Sequence, residues 1–231
     1  MKFVQSVVFV LAGCAMTPVG SVVSSVEASE FGLPPVRGAL EFAPGTREIS
    51  MQELVQRLSE LTGCELATNA QTTAQLMVAK ELLENTEPVP ADEVYAFVET
   101  LLARQDFFLA PAKAGTRPVV TLVAGNGQPQ GSWTPVTVGA GDRERMLRHP
   151  ALLVRMAMSF RNIDTRQLQT QLRQLLVDPT GMRQVVPAGE RNLIVQGPAA
   201  DVASLLELLR LVDENSASSA PATPAPAETP R

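Results

Sequence analysis

Ile49-Ser50-Met51-Gln52-Glu53-Leu54-Val55-Gln56-Arg57-Leu58-Ser59-Glu60-Leu61-Thr62-Gly63-Cys64-Glu65-Leu66 contains a helix start, a helix body, a helix stop and the opening of a strand. Ser50 followed three residues later by Glu53 is the capping-box pattern, in which each side chain reaches the other residue's backbone amide. Ile49 and Leu54 stand where a hydrophobic staple fixes the entering chain. Met51, Leu54, Val55, Leu58 and Leu61 recur at helical spacing, so one face is apolar. Gly63 can take the left-handed conformation that ends a helix. The apolar run that follows, 64–67, reads as a strand, and a helix delivering the chain into a strand sets the class as α+β.

Further along, Pro90 suits the first turn of a second helix, whose apolar stripe is Val94, Phe97, Val98, Leu101 and Leu102. Short apolar runs at 39–42, 107–110 and 119–123 read as further strands, packed on one side by the two helices. A second unit follows a Gly-rich break and reads strand, helix, strand, strand, helix. Val154, Met156, Met158 and Phe160 alternate with Arg155, Ala157 and Ser159, the period of a half-buried strand. Asp164 can cap the next helix, with Gln167 placed to reach back and Leu168, Leu172, Leu175 and Leu176 as its stripe. Asp178-Pro179-Thr180-Gly181 is a turn. Residues 184–186 and 193–196 flank another at Ala188-Gly189-Glu190, which predicts a hairpin. Gly197-Pro198 opens the last helix, with Val202, Leu205, Leu206, Leu209 and Val212 inward.

The ends read differently. Lys2 and the short apolar stretch 3–14 have the form of an export signal, too short to span a bilayer. Two processing routes remain open. Leu11-Ala12-Gly13-Cys14 is a lipobox-like sequence, which would leave Cys14 as the lipidated first residue after loss of 1–13. Val26-Glu27-Ala28 fits ordinary signal cleavage after Ala28, with 1–28 removed. From 215 to 231 the chain is rich in Pro, Ala, Ser and Thr and cannot bury enough surface to offset its chain entropy. The expected organisation is therefore 39–125 and 143–214 as folded units, 126–142 as linker and 215–231 as a solvated tail, in an exported protein.

Composition narrows the chemistry. One His and two Cys exclude a His/Cys zinc, iron–sulfur or haem-attachment cluster built from this chain alone. Aromatics at 4% leave few stacking platforms, and a net charge of −5 argues against general nucleic-acid binding. The charge is divided: 39–125 has 12 acids against 6 bases, net −6, and 143–214 has 8 acids against 10 Arg, net +2. No Gly-x-Ser-x-Gly elbow is present. His149 has no partnered nucleophile in the sequence and reads as a surface or satisfied loop residue rather than a catalytic base. Asp92, Glu93, Glu84 and Glu87 lie at or before a helix start, where they complement its dipole. Cys64 reads as a small buried hydrophobe, with a reactive or intermolecular thiol as the other reading. The glycines between 125 and 131 superficially match a dinucleotide fingerprint, but the last spacing is too long and Pro129 intrudes, so they read as linker. No metal, cofactor or catalytic residue is expected.

The order of the two units carries a resemblance. The run 49–66 followed by Val89-Pro90-Ala91-Asp92-Glu93-Val94-Tyr95-Ala96-Phe97-Val98-Glu99-Thr100-Leu101-Leu102 resembles the first periplasmic domain of bacterial secretins, a βαββαββ unit shared with the short N-terminal domain of TonB-dependent signalling receptors. Phe160-Arg161-Asn162-Ile163-Asp164 through Leu176, then Val185-Val186-Pro187 and Arg191-Asn192-Leu193-Ile194-Val195-Gln196-Gly197 with the closing helix, resembles the second secretin domain, a KH-like βαββα unit that packs into rings. The resemblance implies a non-enzymatic periplasmic protein acting by protein–protein contact in type II secretion or type IV pilus assembly, through envelope protein partners and a homo-oligomeric ring. Membrane attachment, at the outer membrane, would come only through a lipid on Cys14. A periplasmic signalling module of the TonB-dependent receptor type is the alternative. Because the chain passes from Asp213 into the Pro/Ala tail, an adaptor or stand-alone ring component is expected rather than the channel. The second unit lacks the Gly-x-x-Gly loop with which KH domains clamp RNA, so its surplus arginines (Arg155, Arg161, Arg166, Arg173, Arg183, Arg191) are not read as an RNA site. Contact edges are expected near 119–123 and 193–196.

Overall fold

The computed structural model describes residues 30–114, 117–125, 133–175 and 182–218. Cys14, Ala28, the turn at 178–181 and most of the Gly-rich break lie outside the described residues, as does the tail beyond Ser218.

The first unit runs β1 (Glu48–Ser50), α1 (Met51–Thr62), β2 (Glu65–Ala67), α2 (Ala70–Val78), β3 (Lys80–Leu82), α3 (Val94–Arg104), β4 (Phe107–Ala114) and β5 (Arg117–Ala124). Ser50 caps α1 by accepting from the Glu53 amide at 3.1 Å, and Gly63, at φ 65°, closes it by donating to Ser59 O at 2.8 Å. The reciprocal half of the capping box is replaced. The Glu53 carboxylate turns to Arg57 at 2.6 Å, and Ser50 is the last residue of β1, opposite Lys80. Helix α3 starts at Val94 rather than Pro90, because residues 90–93 form a turn in which the Glu93 amide donates to Pro90 O. Residues 39–42 give only a single bridge, Leu40 to Val89, and not a strand.

β1 and β3 form a small antiparallel pair, and the main sheet has the order β2-β5-β4. Proline placement agrees with that order. Pro111 lies on β4, an outer strand, and Pro118 lies in β5 just beyond the stretch that β2 covers. Gly125 ends β5 against Asp106: its amide donates to Asp106 O at 2.6 Å, and a Cβ there would stand 3.0 Å from the Asp106 Cβ.

The second unit runs β6 (Val136–Val138), α4 (Arg143–Arg148), β7 (Leu153–Ser159), α5 (Thr165–Leu175), β8 (Gln184–Pro187), β9 (Asn192–Pro198) and α6 (Ala199–Ser218), with sheet order β6-β7-β9-β8. From Leu153 onward the strand, helix, strand, strand, helix order is the one the sequence predicts, and β7 buries Val154, Met156 and Met158 while exposing Arg155, Ala157 and Ser159. Gly189 turns the β8–β9 hairpin at φ 110°, a conformation open to glycine. Two segments differ from expectation. β6 lies inside the stretch read as linker, held by parallel pairing to β7, and α6 continues to Ser218, into the stretch read as tail.

The units share one continuous core. The Leu109 amide of β4 donates to Ala151 O at 2.9 Å, Leu109 and Leu152 form a parallel bridge, and the first amide of α6, Ala199, donates to Leu152 O. Both leucines are fully buried. The edges expected to be free are not: 119–123 lies in β5, the middle strand of its sheet, and 193–196 lies in β9, between β7 and β8. Among the described residues the outer strands of the two larger sheets are β2 and β4, and β6 and β8; β4 is bridged at Leu109 to Leu152, and β2, β6 and β8 have no further strand beside them. A run of apolar residues reports burial and not position within the sheet.

Candidate functional site at the junction of the two units

Three elements deliver one side chain each to the junction. Helix α3 carries Glu99 on its buried side, four residues after Tyr95 and three before Leu102. The end of α4 carries His149, held in a tight turn by its amide's bond to Met146 O. A short 3-10 turn, Glu30–Gly32, brings Glu30 from the start of the described chain. Glu99 is 0% exposed and His149 4%.

His149 Nδ1 lies 2.8 Å from Glu99 Oε1, and His149 Nε2 lies 3.2 Å from Glu30 Oε2. The second Glu99 oxygen accepts from the Ala151 amide at 3.1 Å, and the second Glu30 oxygen accepts from Arg148 at 2.5 Å with Arg145 Nε at 3.7 Å. The ring is enclosed edge-on by Phe31 and Tyr95, at 5.8 and 5.4 Å between centroids. Arg145 stands over Phe31 at 4.4 Å, and Tyr95 donates to Pro34 O at 2.7 Å.

Burial works against a charge on His149, but the hydrogen bonds and charges of Glu99 and then Glu30 outweigh it and hold the imidazolium above its usual range. Burial also pushes the Glu99 carboxyl up, despite the bonds from His149 and the Ala151 amide, so this pair keeps its protons more tightly than free groups would. Glu30 is held below the ordinary carboxylate range, chiefly by Arg148. With a carboxylate on each ring nitrogen, His149 is placed to pin the two acidic side chains electrostatically.

The other residues singled out in the sequence are dispersed. Asp92 and Glu93 wall an open cleft that also reaches Glu30, Arg148 and His149. Cys64 is a buried thiol, raised by desolvation. Arg155 bonds Gln196 across β7 and β9, and Arg183 pairs with Asp201 at 2.7 Å. Among the described residues no group of three His, Cys, Asp or Glu is placed to hold a metal, and no helix is long and apolar enough to cross a membrane. Sequence reasoning missed Glu99 and Glu30. The signal for Glu99 was present, since a carboxylate at its spacing from Tyr95 and Leu102 falls on the apolar side of α3. Glu30 carried none.

The fold is similar to that of the N-terminal domains of type II secretion secretins. A chain in the Klebsiella pneumoniae type II secretion system outer membrane complex, which contains PulD, PulS and the PulC HR domain, superposes on 74% of this chain with a TM-score of 0.57 and 18% identity. This chain spans about a quarter, 26%, of that one. The enterotoxigenic Escherichia coli GspC–GspD complex (16% identity, 76% of this chain and 98% of that one, TM-score 0.30) and the N-terminal domain of the Pseudomonas aeruginosa secretin XcpQ (17%, 76% and 63%, TM-score 0.23) superpose too poorly to define a shared arrangement. No family model and no curated protein matches the chain.

Proposed function

We propose that this chain is a non-enzymatic component of the bacterial envelope, resembling the periplasmic ring domains of secretins and working by protein–protein contact in secretion or pilus assembly. The observation that carries the reading is the superposition on the Klebsiella complex across 74% of the chain. The buried Glu99–His149 pair agrees with a structural role for the junction, because it joins one unit to the other. The open edges of β2, β6 and β8 supply backbone donors and acceptors for neighbouring strands, of the same chain in a ring or of a partner. Export follows the N-terminal signal, with either a lipid on Cys14 or cleavage after Ala28 defining the mature start.

Chemical crosslinking in intact envelopes, followed by mass spectrometry, tests this function. The expected result is crosslinks from this chain to a secretin, pilus or secretion component; recovery of self-crosslinks and abundant unrelated envelope proteins only would overturn it. N-terminal analysis of the mature chain separates the two processing routes, with a lipidated Cys14 or a free Ser29 as the readout.

A further inference from the structure

We propose that Glu30, His149 and Glu99 form a protonation-controlled latch, in which the imidazolium holds the N-terminal turn onto the junction of the two units and loss of its proton releases the turn. The reasoning is geometric and goes beyond the functional reading above. A neutral imidazole has one N–H donor and one lone pair, whereas an imidazolium has two donors. His149 faces a carboxylate oxygen from each nitrogen, at 2.8 and 3.2 Å. Only the imidazolium can donate to both.

The consequences of deprotonation are unequal on the two sides. The proton on Nδ1 faces Glu99, which is fully buried and also serves the Ala151 amide, so stripping that side leaves a buried carboxylate against a lone pair. The proton on Nε2 faces Glu30, on the side where the open cleft admits water. The proton lost is therefore the one toward Glu30. Nε2 then turns a lone pair to Glu30 Oε2, and two acceptors stand 3.2 Å apart. Glu30 keeps Arg148 and Arg145, but the turn's bond to the buried ring is gone. That turn is strained as well: Phe31, a bulky residue, sits at φ 55° in the left-handed region, so it relaxes once the hold is lost.

No neighbouring group is placed to duplicate the switch. From α3 the ring faces Glu99 and Tyr95, with Asp92 and Glu93 across the cleft. From the N-terminal turn it faces Glu30 and Phe31. From α4 it has Arg145 and Arg148, which stay charged throughout, and from 151–152 only backbone. Tyr95, against the ring, and Cys64 are both pushed up by burial.

His149 is the only histidine in the chain, so its imidazole resonances are unambiguous in a full-length protein made without a histidine tag. NMR titration of that ring, with backbone 15N relaxation of Phe31 and Gly32 at each pH and of α1 as the rigid reference, tests the latch. The expected midpoint lies above the ordinary value of about 6.5, with the Phe31 and Gly32 amides as rigid as those of α1 below it and more mobile than them above it. Glu30→Ala, a substitution at a partly exposed position that removes the acceptor, lowers the midpoint and leaves the turn mobile already at neutral pH. A midpoint at or below about 6.5 would overturn the imidazolium. A turn that stays as rigid as α1 through the midpoint, or in Glu30→Ala, would overturn the latch and leave an ordinary ion pair, with the proposed function untouched.

Discussion

Replacing Glu99 with alanine is the perturbation whose cost the structure specifies best. Its carboxylate is fully buried and accepts from His149 Nδ1 at 2.8 Å and from the Ala151 amide at 3.1 Å. Removing one partner of a buried ion pair costs about 3–5 kcal/mol, and an orphaned buried amide costs about 1–3 kcal/mol. These overlap, because His149 can shed its proton instead of remaining charged and unpaired. The expected net destabilisation is about 3–5 kcal/mol, a fall in Tm of roughly 6–20 °C for a folded region of this size. Urea unfolding followed by circular dichroism measures it.

The pH dependence follows with a definite sign. His149 has a raised value in the fold, so its contribution is complete below about 6.5 and is lost as the pH rises through the folded value. Glu99, also raised, changes in the same direction. The Glu99→Ala penalty should therefore be larger at pH 6 than at pH 9. The double variant Glu99→Leu with His149→Phe, which replaces both charges by apolar groups, should lose less than the sum of the two single variants. A penalty under about 1 kcal/mol, or one that is the same at pH 6 and pH 9, would refute the reasoning.

Two further substitutions test the local structure. Gly125→Ala brings a Cβ to 3.0 Å from the Asp106 Cβ and 3.2 Å from its carbonyl, both poorly able to yield, so urea unfolding should show a loss of about 1–3 kcal/mol. Ser50→Ala removes the oxygen that receives the Glu53 amide and should lower stability by about 1 kcal/mol. Since the Glu53 carboxylate is engaged with Arg57 rather than with Ser50, Glu53→Gln should cost well under that amount in the same assay.

Local signals and tertiary arrangement were unequally legible in the sequence. Helix α1 was readable because its stripe, cap and stop all coincide, and β7 because its alternation is clean. Helix α2 was hidden: it buries only Thr72 and Leu76, so no apolar period marks it, although Asn69 caps it by accepting from the Thr72 amide at 2.7 Å. The three-residue strands β1, β3 and β6 are too short for a period and are set by their partners. Strand order was beyond a periodicity argument. Val120, Leu122 and Val123 are buried whether β5 lies at an edge or, as found, between β2 and β4. At the junction, His149 is satisfied but not a surface residue, being 4% exposed; its partners lie 50 and 119 positions away in the chain, and such pairings arise only from the packing of α3, α4 and the N-terminal turn.

The most direct test of the account is a photo-crosslinking amino acid placed at Val186, half exposed on the open β8 edge, in cells that make the full chain, with Gln56 on the solvent face of α1 as the comparison site. The account predicts light-dependent adducts from Val186 to a second copy of the chain or to a secretion or pilus component, and far fewer from Gln56. Adducts that are absent at Val186, or equal at the two sites, would contradict it.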